Sequence, residues 1–274
     1  MFGSRLNDEI NVNIANSELS GISSVDFSYS NTSNILKPLG SKKGLTTVGG
    51  ATQQKVSISR HLIYDDPVLN YTGSNNALGN IRYDDQTYNF SSGYLTDYSV
   101  NCAVGSVPKV NATFVILDEL TSSVSNSSSN ESSEVGNPIN NIYIPSQGSI
   151  TITCDYSTTN RVIGFDYSIV ANRKPYFSIG QKQAVAMELI PPLEYTVQVQ
   201  IEVDSAQPED SYNFLATREN KTLSFEINGR NGESIQALTV PNATLISESL
   251  SASDDGSAVL NLNYIGHGFW FILQ

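Results

Sequence analysis

Reactive side chains are few in this chain, and none is spaced for catalysis. Its 274 residues include two histidines. His61 falls on the polar side of an alternating run, and His267 sits between Gly266 and Gly268. Neither belongs to an HExxH pattern, which would aim two imidazoles at one zinc ion. The chain has no GxSxG elbow, phosphate-binding loop, GxGxxG or CxxC. The acidic pairs Asp65-Asp66, Asp84-Asp85 and Asp254-Asp255 offer oxygen ligands for Ca²⁺. They lack the alternate-position ligands of an EF-hand, and Asp beside Pro or Gly serves turns. Asp26 and Asp166 fall on the polar sides of strands and read as structural or lumen-facing residues, not as an acid/base pair. Arg60 interrupts an apolar face, which predicts a sheet edge or a subunit contact where a long side chain can reach out. Cys102 and Cys154 make no disulfide framework, and the apolar neighbours of Cys102 predict a buried thiol. The expectation is no enzyme, no metal and no cofactor.

Composition narrows the classes and fits a generic soluble acidic protein. The chain carries 27 acidic against 15 basic residues, a net charge of -12, which disfavours a phosphate-gripping surface and suits a surface that repels DNA. Its polarity comes from Ser, Thr and Asn, and with many Gly and Tyr this points to β structure. No apolar run reaches the ~20 residues of a membrane span, and the start, MFGSRLNDEI, lacks the regions of a signal peptide. Glycosylation sequons at Asn70, Asn89, Asn111, Asn220 and Asn242 are what an Asn-, Ser- and Thr-rich chain produces by chance.

Strands must therefore position whatever this protein presents. The clearest is Gly93–Leu117. Tyr94, Thr96, Tyr98, Val100, Cys102 and Val104 alternate with Leu95, Asp97, Ser99, Asn101 and Ala103, predicting one buried face. After Gly105 and Pro108, Val110, Ala112, Phe114 and Ile116 alternate again and complete a hairpin. Other expected strands are 22–30, 55–64, 143–156, 161–170, 195–203, 223–227, 236–240, 244–253 and 258–265. A short strand is expected within 81–90. Asn228–Gly232, with two Asn-Gly pairs, predicts a hairpin loop. Residues 31–54, 70–80 and 171–194 read as loops, although 181–189, QKQAVAMEL, is the best short helix candidate. Residues 1–20 read as an N-terminal arm, whose short alternation at 10–14 allows one strand. The Ser/Asn-rich 121–140 reads as a solvated loop or linker between domains 21–120 and 141–274. The apolar end, GFWFILQ, suits either a final core strand or a patch that docks a neighbour.

The halves echo each other. Val25-Asp-Phe-Ser-Tyr29 matches Phe165-Asp-Tyr-Ser-Ile169, and Leu39, Gly40 and Lys42 match Ile179, Gly180 and Lys182. Val56–Ser59 lies over Val197–Gln200 with one residue of slip. Leu95, Ser99, Val100 and Cys102 match Leu245, Ser249, Leu250 and Ala252, and Val110–Phe114 matches Leu260–Tyr264. Glu248 against Tyr98 departs from the pattern. Four segments matching in order predict an internal duplication: an all-β chain with a minor helix, made of two tandem antiparallel β-sandwiches or partly closed barrels.

The first half, over roughly 20–117, resembles the tail tube proteins of tailed bacteriophages. The carriers are Ser57-Ile58-Ser59-Arg60, Asp66-Pro67-Val68-Leu69, Tyr71-Thr72-Gly73 and Gly93–Ser99. The second half shares the likeness only through the first, and it has no counterpart of DDPVLNYTG. The resemblance implies two packed sheets with a flanking helix, and rings of six domains stacked into a tube for DNA ejection. It also implies sheet edges paired across subunits and a location in the virion after synthesis in the bacterial cytoplasm. With duplication, three chains would supply a ring, a trimer with pseudo-sixfold symmetry; a hexamer is the other possibility. Implied partners are further copies and the terminator, distal-tail and tape-measure proteins. DNA passes without specific binding, and no membrane is involved. The long loops, at Lys42, Lys43, Gly44, Lys182 and Gln183, would reach the next ring. Asp97, Ser99, Asn101, Ser247, Ser249 and Ser251 are candidate lumen residues, although a polar face of this kind equally suits an outward solvated surface. Alternatives are a distal-tail, neck or tail-terminator ring protein, or a β-sandwich adhesin or carbohydrate-binding module.

Overall fold

Alternating apolar and polar residues become strands almost throughout. The structure is a computed structural model describing residues 10–15, 17–36, 45–63, 65–83, 86–118, 120–124, 142–154, 157–179, 183–203, 220–229, 232–252 and 258–268. For 31–36 and 45–52 it describes the backbone only. The first half contains β1 (Asn11–Ile14), β2 (Ser17–Leu19), β3 (Ile22–Leu36), β4 (Leu45–His61), a 3-10 turn (Pro67–Tyr71), β5 (Ala77–Tyr83), β6 (Gln86–Ala103), β7 (Lys109–Ile116) and β8 (Thr121–Val124). The second contains β9 (Ile150–Cys154), β10 (Ser157–Thr159), β11 (Val162–Val170), β12 (Arg173–Phe177), β13 (Ala184–Leu189), β14 (Leu193–Val203), β15 (Lys221–Asn228), β16 (Ser234–Ser251) and β17 (Ala258–Gly268). The chain is all-β, and every strand pairing described is antiparallel.

One run of neighbours crosses the molecule in the order β3-β4-β7-β6-β11-β14-β17-β16. Its first four strands belong to one half and its last four to the other. Both sets have the same order, and their registers agree. Val25 lies opposite Ile58 where Phe165 lies opposite Val199. Val56 opposes Phe114 as Val197 opposes Tyr264. Val100 opposes Val110 as Leu250 opposes Leu260. The register breaks recur too, between Leu95 and Asp97 in β6 and between Leu245 and Ser247 in β16. They recur again between Ile22 and Ser24 in β3 and between Val162 and Gly164 in β11.

A second layer repeats in the same way. Val12 pairs with Ile81 across β1–β5, and Ile152 pairs with Phe225 across β9–β15. The two 18-residue strands β6 and β16 serve both layers. Their first parts pair with β5 and β15, and their last parts with β7 and β17. The apolar faces meet between the layers, where Phe114 lies 6.5 Å from Phe90 and Phe165 lies 5.0 Å from Phe225, measured between ring centres. One continuous cluster of buried residues runs through both halves.

Several expectations change. The helix expected at 181–189 is strand β13 over its described part, because pairing with β12 overrides the helix propensity of Ala, Met and Leu. The only helical element among the described residues is the 3-10 turn. Much of the expected loop 31–54 is strand, since β3 and β4 pair as far as Leu36 and Leu45. The expected loop 171–194 carries the β12–β13 hairpin, and 70–80 gives way to β5 at Ala77. The expected arm contributes β1 and β2 to the core, burying Val12, Ile14 and Leu19. Thr121–Val124 pairs with β6, while the rest of the Ser/Asn-rich stretch lies outside the described residues.

The face assigned to β6 also changes. Tyr98, Val100 and Cys102 are buried as expected, but Leu95 is buried and Tyr94 only partly so. The bulge at Thr96 adds one residue, and a one-residue addition exchanges the faces of everything before it.

Candidate lumen face and the polar groups behind it

Residues directly opposite each other in antiparallel strands share a face, so the registers define rows across the sheet. One row reads Lys109, Asn101, Asp166, Gln198, Asn263, Ser247. The next reads Ser24, Ser59, Asn111, Ser99, Ser168, Thr196. A third joins Asp26, Ser57, Thr113, Asp97, Val170 and Glu194. Ser249 and Ser251 continue the face opposite Asn261 and Val259. All six candidate lumen residues therefore lie on one face of one sheet, together with Asp26 and Asp166.

Short polar side chains bond along the rows, from one strand to the next. Ser59 Oγ donates to Asn111 Oδ1 at 2.7 Å, Asn263 Nδ2 donates to Ser247 Oγ at 2.6 Å, and Asn101 Nδ2 donates to Asp166 Oδ1. Two shallow depressions lie over this network, lined by Ser99, Asn101, Asp166, Gln198 and Asn263 among others. The face carries Asp26, Asp97, Asp166, Glu194 and Glu202 against Lys55 and Lys109. Such a surface is wet, weakly acidic and poor in groups that grip phosphate.

The other candidates scatter. Gln183 is exposed at the bend before β13, while Lys42, Lys43, Gly44 and Lys182 lie outside the described residues. So do Asp84, Asp85, Asp254, Asp255 and 269–274 of the apolar C-terminus. His61 lies opposite Lys109, and His267 lies opposite Glu194 near the far end of the sheet. No group of three His, Cys, Asp or Glu side chains fit to hold a metal occurs among the described residues. Cys102 and Cys154 are buried and form no disulfide, and burial pushes the Cys102 thiol up to about 12.

Arg60 is neither at an edge nor on the surface. It is buried, with Nη2 2.6 Å from Asp66 Oδ1. Asp66 is buried as well. Its carboxylate accepts from the Tyr98 hydroxyl at 3.0 Å and from Val68 N–H at 3.0 Å, which caps the 3-10 turn. Its own N–H donates to Gln236 Oε1 at 2.8 Å, reaching β16 in the second half. Burial, then the neighbouring carboxylate, holds the Tyr98 hydroxyl well above its ordinary range. Asp65-Asp66 was expected to serve a turn, and Asp66 does so while also anchoring a cation.

A second basic group escaped the sequence reading. Arg173, at the start of β12, reaches into the first half. Its Nε donates to Leu95 O at 2.6 Å, and its Nη2 donates to Gly73 O at 2.6 Å and to Tyr71 O at 3.2 Å. Its guanidinium lies 5.4 Å from the Tyr94 ring centre. Burial pushes it down to about 10, so it stays charged at neutral pH. Nothing in the sequence around Arg173 or Gln236 marks either residue, because their partners are far away along the chain.

No protein-family model matches the chain, and no curated protein resembles it closely enough to count as a relative.

Proposed function

We propose that this protein is a structural protein of a bacteriophage virion that forms the tail tube, three chains to a ring and rings stacked into a conduit for DNA. The observation that carries the proposal is a correspondence within one sheet: β3-β4-β7-β6 and β11-β14-β17-β16 share strand order, register and two register breaks, which supports a unit present twice. A chain made of two equivalent units, joined edge to edge, is already a third of a six-unit ring. Its polar rows form one continuous face across both units, which suits the wall of an aqueous channel. The scarcity of cations on that face suits a wall that DNA slides past.

The test is electron microscopy of the purified protein at rising concentration. The tube reading expects rings of three chains that stack into long hollow filaments. Rings that stop at one or two layers would instead assign a distal-tail, neck or terminator role. Particles that stay monomeric at every concentration, or bind glycans as monomers, would reject the proposal.

A further inference from the structure

The great sheet ends in two open edges. β3 pairs only with β4, and the last part of β16, from Ser247 to Ser251, pairs only with β17, among the described residues. Open edges expose unpaired N–H and C=O groups and template the addition of another strand. Both edges also leave apolar side chains in water. Phe27 and Tyr29 of β3 are 43% and 62% exposed, and Leu250 of β16 is 61% exposed.

The chain shows what such edges do when they meet. β6 and β11 are the counterparts of β16 and β3, and they pair with each other inside the molecule. In that joint Cys102 opposes Phe165, Val100 opposes Tyr167 and Tyr98 opposes Ile169, and all six side chains are buried. On the other face Asn101 opposes Asp166, and Ser99 opposes Ser168. The exposed apolar residues of the open edges stand at the positions that this joint buries.

We infer that β16 of one chain pairs antiparallel with β3 of a second copy, in the register of the internal β6–β11 joint. Transferring that register sets Ala252 opposite Val25, Leu250 opposite Phe27, and Glu248 opposite Tyr29 on the apolar side. On the polar side it sets Ser251 opposite Asp26, Ser249 opposite Ser28, and Ser247 opposite Ser30. On the apolar side Ala252 meets Val25 and Leu250 meets Phe27, with Glu248 against the Tyr29 ring as the one departure; on the other side short polar groups meet, so the polar rows continue unbroken into the neighbour. The contact is head to tail, and a head-to-tail contact closes a ring when its rotation does. The inference rests on the repeat and does not require stacking into tubes.

The internal joint also identifies which pair to link. Thr96 O accepts from Ala171 N–H, and Ile163 O accepts from Val104 N–H. Ser99 and Ser168 thus form a non-hydrogen-bonded pair, and so should Ser249 and Ser28. Such pairs bring Cα atoms to about 4.5 Å, within disulfide reach. Ser28→Cys chains mixed with Ser249→Cys chains should give a disulfide-linked dimer on mild oxidation, at least tenfold faster than Ser28→Cys mixed with Ser247→Cys or Ser251→Cys. The native thiols are buried and should not compete. Leu250→Lys should leave the melting temperature of the isolated chain unchanged and raise the concentration needed for rings at least tenfold. Preferential linking of another pair, no linking in assembled rings, or wild-type assembly by Leu250→Lys would overturn the inference. Matched linking in rings that never stack would keep the joint and reject the tube; tubes without matched linking would do the reverse.

Discussion

At the residue scale, the costliest group to disturb is the Arg60–Asp66 pair. Each ion leaves water, and the return depends on the pair staying complete, with Tyr98 and Val68 N–H filling the remaining acceptor positions of the carboxylate. Asp66→Ala should lower unfolding stability by about 3–5 kcal/mol, because it strands a buried cation. Arg60→Met combined with Asp66→Asn should recover most of that loss in urea denaturation. A small effect of Asp66→Ala alone would mean that the pair is hydrated in solution. The position matching Arg60 in the second half is Ile201, also buried, so the fold tolerates an apolar side chain there. The alternation of 55–64 marked Arg60 as facing the core side. It could not name Asp66 as the partner, since that depends on how the chain turns after β4.

At the element scale, β12 and its hairpin partner are held to the first half through Arg173. Three carbonyl groups, from Leu95 at the bulge, from Tyr71 at the end of the 3-10 turn and from Gly73 just after it, converge on one guanidinium. Hydrogen bonds to a charged donor are worth about 1.5–3 kcal/mol each in favourable settings, and their effects do not add. Arg173→Ala should destabilise the chain by about 2 kcal/mol. It should also speed amide exchange in β12 and β13 more than in β14. Uniform exchange across these strands would show that the hairpin holds its place without the clamp. Bulges are the other element-scale device. The one at Thr96 turns Leu95 inward, and its twin in β16 lies at the matching position. Strict alternation is what the sequence shows, and an extra residue leaves no mark in that pattern until the partner strand supplies the register.

At the scale of the whole molecule, four buried tyrosines distribute one pH response over both halves. Burial raises the hydroxyls of Tyr98, Tyr167, Tyr195 and Tyr264 above the ordinary value of 10.0, and raises the Cys102 thiol from 9.0 to about 12. A group whose folded value is raised contributes its stability in full below its unfolded value. That contribution is lost as pH climbs toward the folded one. The midpoint of urea unfolding should therefore be flat up to about pH 8.5 and fall steadily from about pH 9 to 12. Cys102→Ala should retain the tyrosine part of the fall. A midpoint unchanged at pH 11 would contradict the burial of these rings.

The sequence by itself determined the all-β class, most strand positions and the polar side chains of the candidate face, because alternation with a period of two is a local property. It also offered the correspondence between segments of the two halves on which the proposed repeat rests, since alternation in the same order is readable along the chain. Only the tertiary structure decided how β6 meets β11, where the bulges exchange faces, and which partners Arg60 and Arg173 find. Those outcomes depend on strand register and on contacts between residues far apart in the chain. The same reason explains the failed helix at 181–189: local propensity favoured it, and pairing with β12 outweighed that preference.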